Sequence, residues 1–291
     1  MSVFVIGEMA SSHDGELDNA KRLVDVAVAA GCDAVKVQFW SDADRLADRR
    51  GVPQHYRDIY RKYQMSFKWL RILKDYCGER IEFMATCFLP EDVNTISPFV
   101  NRFKISAFES GDRELLHAVC NIAKKRILLM SVNTLRDREG DVVVPEGGNF
   151  ANFDNQYLDH IVKTNALRER AQHGIDDVLM YCVTEYPAPL SRVDLSQLQE
   201  AASNGIAVGF SDHTGDIDMG AYAVCAGATY IEAHCQLLTT DHANPDAGTF
   251  AHSPASLKQY VQNIRKAEVV MSQAGRPLLA ETRLTRYRVI R

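Results

Sequence analysis

The stretch VFVIGEMASSHDGELDNAKRLVDVAVAAGCDAVKVQ, residues 3–38, decides the fold of this chain. It opens with an apolar run at 3–9, continues with an amphipathic stretch at 17–30 that Gly31 ends, and closes with a second apolar run at 34–38. Short apolar runs indicate buried strands, and apolar side chains at three- and four-residue spacing indicate a helix. A strand, a helix and a second strand in this order predict a parallel βαβ unit.

The same unit recurs along the 291 residues, which gives eight strand–helix units in all. Such a number at this length favours a closed (β/α)8 barrel, or TIM barrel, because these barrels take about 250 residues. Neither glycine-rich phosphate loop of the nucleotide-binding sheets is present in the sequence. The later strands are predicted at 81–86, 102–106, 126–131, 177–182, 207–210 and 229–234. Helices are predicted at 67–76, 112–124, 156–172, 195–203 and 219–225.

The last predicted helix begins at Ser253, carries a buried face that extends to Val270 and Met271, and ends at Gly275. The sequence therefore predicts a TIM-barrel catalytic domain at residues 1–275 and a C-terminal tail or linker at 276–291. A long charged stretch at 41–64 receives no predicted element.

Composition limits the function classes. Lys and Arg number 33 against 38 Asp and Glu, so the net charge is −5, and no basic block predicts a nucleic-acid groove. No run of about 18 apolar residues predicts a membrane helix, and the first residues do not resemble a signal peptide. The seven cysteines are widely spaced and predict free thiols, so we expect a cytoplasmic protein.

Polar residues stand where the predicted strands end, and active sites of TIM barrels lie at the carboxyl ends of the strands. Charged groups at a partly desolvated barrel mouth are costly unless they have partners, which favours a functional role for this set. Its members are Glu8, Lys36, Gln38, Thr86, Lys104, Glu109, Ser131, Thr184, Tyr186, Ser211, His213, Glu232 and His234.

Lys36 and Lys104 lie inside apolar strands, where a lysine cannot be an ordinary solvated charge. Two interpretations stay open: a structural ion pair with Glu8 or Glu109, or a site for a phosphate and a carboxylate together with nearby hydroxyls. A lysine with a depressed pKa can also form a Schiff base, which is a third interpretation.

His213 and His234 end neighbouring strands, beside Glu232. Adjacent strands lie about 4.8 Å apart, so both imidazoles are predicted to reach one metal ion. Two histidines with water or substrate in the remaining positions would make an open, catalytic metal site. Each histidine taken alone is also compatible with a structural hydrogen-bonding role.

Eight short stretches, one at each strand end or close to it, resemble the N-acetylneuraminate (sialic acid) synthase family. The resemblance covers the barrel domain only, without the C-terminal antifreeze-like domain of that family. The stretches are IGEMASSHDG at 6–15, GCDAVKVQ at 31–38, ATCF at 85–88, FKIS at 103–106, YPAP at 186–189, GFSDHT at 209–214, IEAH at 231–234 and NPDA at 244–247.

This resemblance implies a metal-dependent condensation of phosphoenolpyruvate with an aldose or other aldehyde, which gives a 3-deoxy-2-keto (ulosonic) acid and phosphate. The implied metal is Mn²⁺, with Mg²⁺ and Co²⁺ as alternatives, and its ligands are His213 and His234. The implied catalytic residues are Glu8, Glu109 and Lys36. The implied substrate-binding residues are Lys36, Gln38, Thr86, Lys104, Ser106, Ser131, Thr184, Tyr186, Ser211, Glu232 and Asp246.

Some positions depart from the family pattern. Ala107 stands where the family has a phosphate-binding serine, and Ser106 points to the opposite face of a regular strand. The resemblance implies a homodimer, but the domain that bridges the family's dimers is not among these residues. We therefore leave the acceptor aldehyde open. Two further interpretations of the same barrel are a Schiff-base aldolase and a non-catalytic protein that binds phosphoenolpyruvate or sugar.

Overall fold

Eight parallel strands form a closed barrel in which each strand pairs with the next along the chain and β1 pairs with β8. The structure, a computed structural model, describes residues 2–122, 127–133 and 177–273. The predicted TIM barrel is confirmed. The strands are β1 (Phe4–Glu8), β2 (Ala34–Phe39), β3 (Glu82–Cys87), β4 (Phe103–Ile105), β5 (Leu128–Val132), β6 (Val178–Cys182), β7 (Val208–Asp212) and β8 (Tyr230–His234).

Helices surround this barrel, as alternating strands and helices require when both faces of a parallel sheet are buried. The helix predicted at 156–172 and the tail at 276–291 lie outside the described residues. Within them, the helices are α1 (Leu17–Ala30), α2 (Ala43–Arg50), α3 (Gln54–Tyr63), α4 (Phe67–Cys77), α5 (Asp92–Ile96), α6 (Arg113–Ile122), α7 (Ser196–Ser203), α8 (Met219–Cys225) and α9 (Pro254–Gln273).

The charged stretch at 41–64 contains two helices, α2 and α3, that the sequence analysis did not predict. Asp42 caps α2, because its carboxylate accepts hydrogen bonds from the backbone amides of Asp44 and Arg45. The two helices pack on each other at the C-terminal end of β2. They therefore cover the end of the barrel that is formed by the carboxyl ends of the strands.

Helix α9 begins as predicted, since the Ser253 hydroxyl accepts a hydrogen bond of 3.2 Å from the Ser256 amide. Its predicted buried face is correct at Leu257 and in the next turns but wrong at its end. Val270 is 64% exposed and Met271 is 41% exposed, so the last turns of α9 do not bury this face. No helix in the described part of the chain is both long enough and apolar enough to span a bilayer.

Residues at the N-terminal end of the barrel are joined by Arg265 of α9. Its guanidinium donates to the Val3 carbonyl oxygen at 2.6 Å and to the Asp33 carboxylate at 2.7 Å. The Val3 amide in turn donates to Glu268 at 2.6 Å. These contacts fasten α9 to the starts of β1 and β2, next to the β1–β8 seam in which Phe4 is opposite Tyr230.

The strand register brings the polar strand ends to one layer of the barrel. Glu8 is opposite Lys36 on β2 and opposite His234 on β8. On the other side of β2, Thr86 of β3 is opposite Lys104 of β4. Residues that are far apart in the sequence therefore come together at the carboxyl ends of the strands.

Candidate active site

Four buried charged side chains lie together inside the barrel, and we call Glu8, Lys36, Lys104 and Glu232 the charge quartet. Lys36 forms an ion pair with Glu8 and also lies 3.6 Å from a Glu232 carboxylate oxygen. Lys104 lies 3.1 Å from the other oxygen of Glu232. The quartet has two positive and two negative members, so each charge has a counter-charge within the barrel.

Two hydroxyl groups form hydrogen bonds with members of the quartet. The Lys36 ammonium donates a hydrogen bond of 2.7 Å to Thr86, and the Ser211 hydroxyl donates one of 2.9 Å to Glu232. The predicted Lys36–Glu8 ion pair is confirmed. A pairing of Lys104 with Glu109 is wrong, because Lys104 pairs with Glu232 across the barrel. The alternative interpretation, an anion site, stays a prediction.

Burial is the largest influence on the proton equilibria of the quartet. It raises the pKa of Glu8 to about 7, against the lowering effect of Lys36. Burial also opposes ionisation of Glu232, but Lys104 and Lys36 outweigh it and hold the pKa of Glu232 below its ordinary value. The pKa of Lys104 is lowered, again chiefly by burial. Glu8 is therefore the quartet member best suited to exchange a proton near neutral pH.

His213 and His234 lie next to each other at the ends of β7 and β8, with ring centroids 5.4 Å apart. The Nδ1 atom of His213 lies 2.6 Å from the Val183 carbonyl oxygen, which can only accept, so this nitrogen carries the hydrogen and leaves Nε2 as the free base. Burial is the largest of the influences that lower the pKa of both histidines to about 3. Both imidazoles are therefore neutral, which is the form that binds metals.

The histidine pair suits a metal with an open coordination sphere. The Nδ1 atom of His234 is buried without a hydrogen-bond partner among the described residues. The same part of the chain contains no cluster of three or more His, Cys, Asp or Glu that could hold a metal. Two neutral nitrogen donors would leave the other positions to water or substrate, which is the pattern of catalytic rather than structural sites.

Aromatic rings border the histidine pair. Tyr186 stacks on His213 with ring centroids 4.2 Å apart, and Phe250 lies edge-on to His234 at 5.3 Å. Sequence reasoning missed Phe250, because it lies in the loop after β8 and belongs to no strand end. The close approach of this loop depends on Gly215, since a Cβ atom there would overlap the Thr249 carbonyl oxygen.

Asp246 is anchored by the loop after β1. Its carboxylate accepts a 3.0 Å hydrogen bond from the Ser11 amide and a 2.5 Å bond from the Ser11 hydroxyl. One of its oxygens lies 3.9 Å from His234 Nδ1, so Asp246 faces the histidine pair. Burial raises the pKa of Asp246, and the bonds from Ser11 oppose that rise.

Glu109 lies apart from the quartet and has its own cation. Arg50 of α2 donates a 2.6 Å hydrogen bond to one carboxylate oxygen of Glu109, and the Ser106 hydroxyl donates to the other. Sequence reasoning missed Arg50, since it lies in the charged stretch that received no predicted element. Ser106 is therefore placed beside Glu109.

The remaining predicted residues differ in burial. Ser131 is buried, Gln38 is half-buried at the end of β2, and Thr184 is exposed in the loop after β6. Their predicted substrate contacts stay predictions, as do those of the residues in the quartet layer.

The NeuB family model matches residues 23–276 of this chain. Spore coat polysaccharide biosynthesis protein SpsE of Bacillus subtilis is 29% identical over 285 residues, which are 93% of this chain and 69% of that protein. An N,N'-diacetyllegionaminic acid synthase of Legionella pneumophila is 29% identical over 286 residues, with 93% and 74% of the two chains covered. Relatives that are named as synthases bear out the prediction that the chain is an enzyme.

Solved structures of similar proteins have the same fold. The crystal structure of the Bacillus subtilis SpsE protein superposes with a TM-score of 0.70 at 30% identity, covering 96% of this chain and 72% of that one. A sialic acid synthetase from Leptospira borgpetersenii gives a TM-score of 0.75 at 22% identity, with 97% and 89% covered, and this match bears on the fold. Because the family model spans most of the barrel, the chain belongs to the NeuB family.

Proposed function

We propose that this enzyme condenses phosphoenolpyruvate with an aldehyde sugar in a metal-dependent reaction that gives a 3-deoxy-2-keto acid and inorganic phosphate. The observation that carries the proposal is the position of two buried lysines, Lys36 and Lys104, beside a pair of neutral histidines in one barrel. Lysines supply charge for a phosphate and a carboxylate, and neutral imidazoles supply donors for a metal ion.

Phosphoenolpyruvate would bind at the quartet. Its carboxylate and phosphate need cations, and Lys36 and Lys104 lie on β2 and β4, on either side of Thr86. Both ammonium groups are paired with carboxylates, so the ligand would take over part of that pairing. Charge-assisted hydrogen bonds of this kind gain strength in a site from which water is excluded.

His213 and His234 would hold the metal ion, Mn²⁺ by the family resemblance with Mg²⁺ or Co²⁺ as alternatives, and the ion would supply Lewis-acid polarisation of the aldehyde carbonyl. Asp246 faces His234 and fixes the loop that borders it. Tyr186 and Phe250 flank the two imidazoles, which are both buried. The acceptor aldehyde would therefore enter beside these rings.

The bond changes follow from this arrangement. The methylene carbon of phosphoenolpyruvate forms a carbon–carbon bond with the aldehyde carbon, whose oxygen takes up a proton. Water adds to the enol carbon and gives one proton to Glu8, whose raised pKa suits it as a base near neutral pH. The carbon–oxygen bond to phosphate then breaks, phosphate leaves with the electron pair and takes up the remaining water proton from the new hydroxyl, and the former enol carbon becomes a ketone.

The experiment is phosphate release from phosphoenolpyruvate with a panel of aldoses, with products identified by mass spectrometry. We expect EDTA to abolish release and Mn²⁺ to restore it. His213→Ala and His234→Ala should stay inactive with added Mn²⁺, whereas the exposed His117→Ala serves as a matched control. Full activity of a metal-free double histidine variant would exclude the metal-dependent reaction.

A Schiff-base aldolase is a second candidate, because burial lowers the pKa of Lys104 and so favours its nucleophilic form. Borohydride reduction in the presence of pyruvate or an aldehyde would then leave a stable adduct on Lys104, and Lys104→Met would abolish the adduct. The absence of a mass shift in the wild-type protein would exclude this candidate. Location in the cytoplasm and assembly as a homodimer remain predictions from the sequence.

A further inference from the structure

We propose that Arg50 is the positioning residue for Glu109 and that, through Glu109, it determines how tightly the acceptor aldehyde binds. The inference rests on the proposed condensation, and it concerns the acceptor half of that reaction. It comes from a group of side chains above the quartet, which we call the arginine box: Arg50, Tyr60, Phe88 and Phe108.

The box holds the guanidinium of Arg50 on several sides. Its central carbon lies 5.4 Å from the ring centroid of Tyr60, 5.0 Å from Phe88 and 4.9 Å from Phe108. The group donates to the Tyr60 hydroxyl at 2.9 Å and to Glu109 at 2.6 Å. Stacking on rings and directed donors restrict a planar guanidinium far more than they would restrict an ammonium.

The box stands directly above the layer in which the donor would bind. Phe88 follows Thr86 by two residues and Ser106 follows Lys104 by two residues, so both lie just past the carboxyl ends of β3 and β4. Thr86 and Lys104 are register partners on neighbouring strands. Glu109 and its partners therefore lie on the solvent side of the quartet, through which an acceptor must pass.

The hydrogen bonds of Glu109 leave it able to accept more. Arg50 engages one carboxylate oxygen and Ser106 the other, while each oxygen has about two lone-pair directions. A carboxylate fixed in this way presents its free lone pairs in one orientation to the hydroxyls of a polyhydroxylated acceptor. Without Arg50, the carboxylate would keep only the Ser106 contact and lose that orientation.

The neighbouring Arg49 is a control for a purely structural role of Arg50. Arg49 lies on the same helix and also joins α2 to the segment after β4, through ion pairs of 2.5 Å with Asp112 and 2.8 Å with Glu114. Within the described part of the chain, its hydrogen bonds go to Asp112 and Glu114 and not to Glu109 or to Tyr60 of the box. Replacing Arg49 would therefore weaken the attachment of α2 to the segment after β4 and leave the hydrogen bonds of Glu109 intact.

The test measures phosphate release by Arg50→Ala and Arg49→Ala with each substrate varied in turn. We expect Arg50→Ala to lower kcat/KM for the acceptor about ten- to a hundredfold, the worth of one hydrogen bond to a charged group, and to leave the KM of phosphoenolpyruvate within about twofold. Guanidinium chloride at millimolar concentration should restore part of the loss by refilling the box. Arg49→Ala should behave like the wild type.

A double-mutant cycle with Glu109→Gln separates direct from indirect action. If Arg50 acts through Glu109, its loss in the Glu109→Gln background should cost less than about twofold. An additive loss, an unchanged acceptor kcat/KM, or an equal loss in Arg49→Ala would overturn the proposal. Arg50→Met, which fills the box with an apolar chain, replaces Arg50→Ala if that variant does not fold.

The assignment remains testable if the condensation itself fails. Should wild-type protein release no phosphate with any aldose, the proposed function is wrong, and saturation-transfer NMR with the same aldoses then measures their binding directly. Weaker aldose binding in Arg50→Ala, with Arg49→Ala unaffected, would still support Arg50. Equal binding to all three proteins, or binding to none of them, would refute its role.

Discussion

Replacing Glu232 by glutamine leaves Lys104 as a buried cation without its counter-charge. In the folded protein a Glu232 oxygen lies 3.1 Å from the Lys104 ammonium and accepts from Ser211 at 2.9 Å. Removing one partner of a buried ion pair costs about 3–5 kcal/mol. We expect about 3 kcal/mol, at the low end, because the glutamine oxygen still accepts from Ser211 and because Lys36 keeps Glu8 as its partner.

Urea unfolding of the metal-free protein at pH 8, followed by circular dichroism, measures this loss. With an m-value of about 3 kcal/mol/M, the midpoint should fall by about 1 M. The matched control is Glu114→Gln, the same substitution at the surface, which removes the carboxylate of an ion pair with Arg49. Exposed pairs contribute about 0–1 kcal/mol, so this control should move the midpoint by less than about 0.3 M.

A Glu232→Gln midpoint within the range of the Glu114→Gln control would refute the reasoning. It would mean that Lys104 is hydrated, or shares its charge with other groups, in spite of its burial. The quartet would then not be a set of mutually dependent charges, and its lysines would be free to bind an anion without giving up a partner.

Three further predictions concern parts of the molecule away from the quartet. Burial lowers the pKa of His13 to about 4, and its Nδ1 accepts from the Gly15 amide, so the unfolded chain binds a proton first as the pH falls below about 6.5. From pH 8 to pH 5 this group should remove about 2 kcal/mol of unfolding free energy, in addition to the loss from buried histidines such as His213 and His234. The drop in His13→Gln should therefore be smaller than in the wild type by about 2 kcal/mol, and an equal drop in the two proteins would contradict this. Gly220→Ala should cost about 1–3 kcal/mol in a thermal melt, since its Cβ would come within 2.6 Å of the Tyr260 ring, and an unchanged Tm would count against that packing. Tyr260→Phe should cost about 1–3 kcal/mol by urea unfolding because Asp212 loses a 2.9 Å donor, and a neutral effect would show that the bond adds nothing.

The fold was predictable because its signal is periodic and local. Apolar runs alternate with amphipathic stretches, and each of the eight strands appears in the structure close to its predicted place. The predicted layer of polar strand ends followed from the barrel alone, since the carboxyl ends of parallel strands meet on one rim. The Lys36–Glu8 pair is an example, because the two residues lie on neighbouring strands.

The rest of the site depends on loops, whose paths local patterns do not determine. Charged side chains make up most of α2 and separate the apolar residues of α3, and ion pairs such as Arg57–Asp48 join the two helices. The short apolar repeat of α3 at Ile59, Tyr60 and Tyr63 was therefore overlooked in a stretch that looked charged throughout. The Arg50–Glu109 bond joins residues that are 59 positions apart, and Phe250 reaches His234 from a loop. The partner of Lys104 was missed for a related reason, because Glu232 approaches it across the barrel interior.

The seam between β1 and β8 also governs when the chain can fold. Phe4 pairs with Tyr230, and Val3 is held by Arg265 and Glu268, so the first strand lacks a neighbour on one side until the residues of β8, more than 220 positions later, have been synthesised. Contacts of such long sequence separation slow folding, and an unpaired strand edge invites association with other chains. Shielding of β1 during synthesis on the ribosome should therefore affect the yield of native enzyme more than shielding of any internal strand.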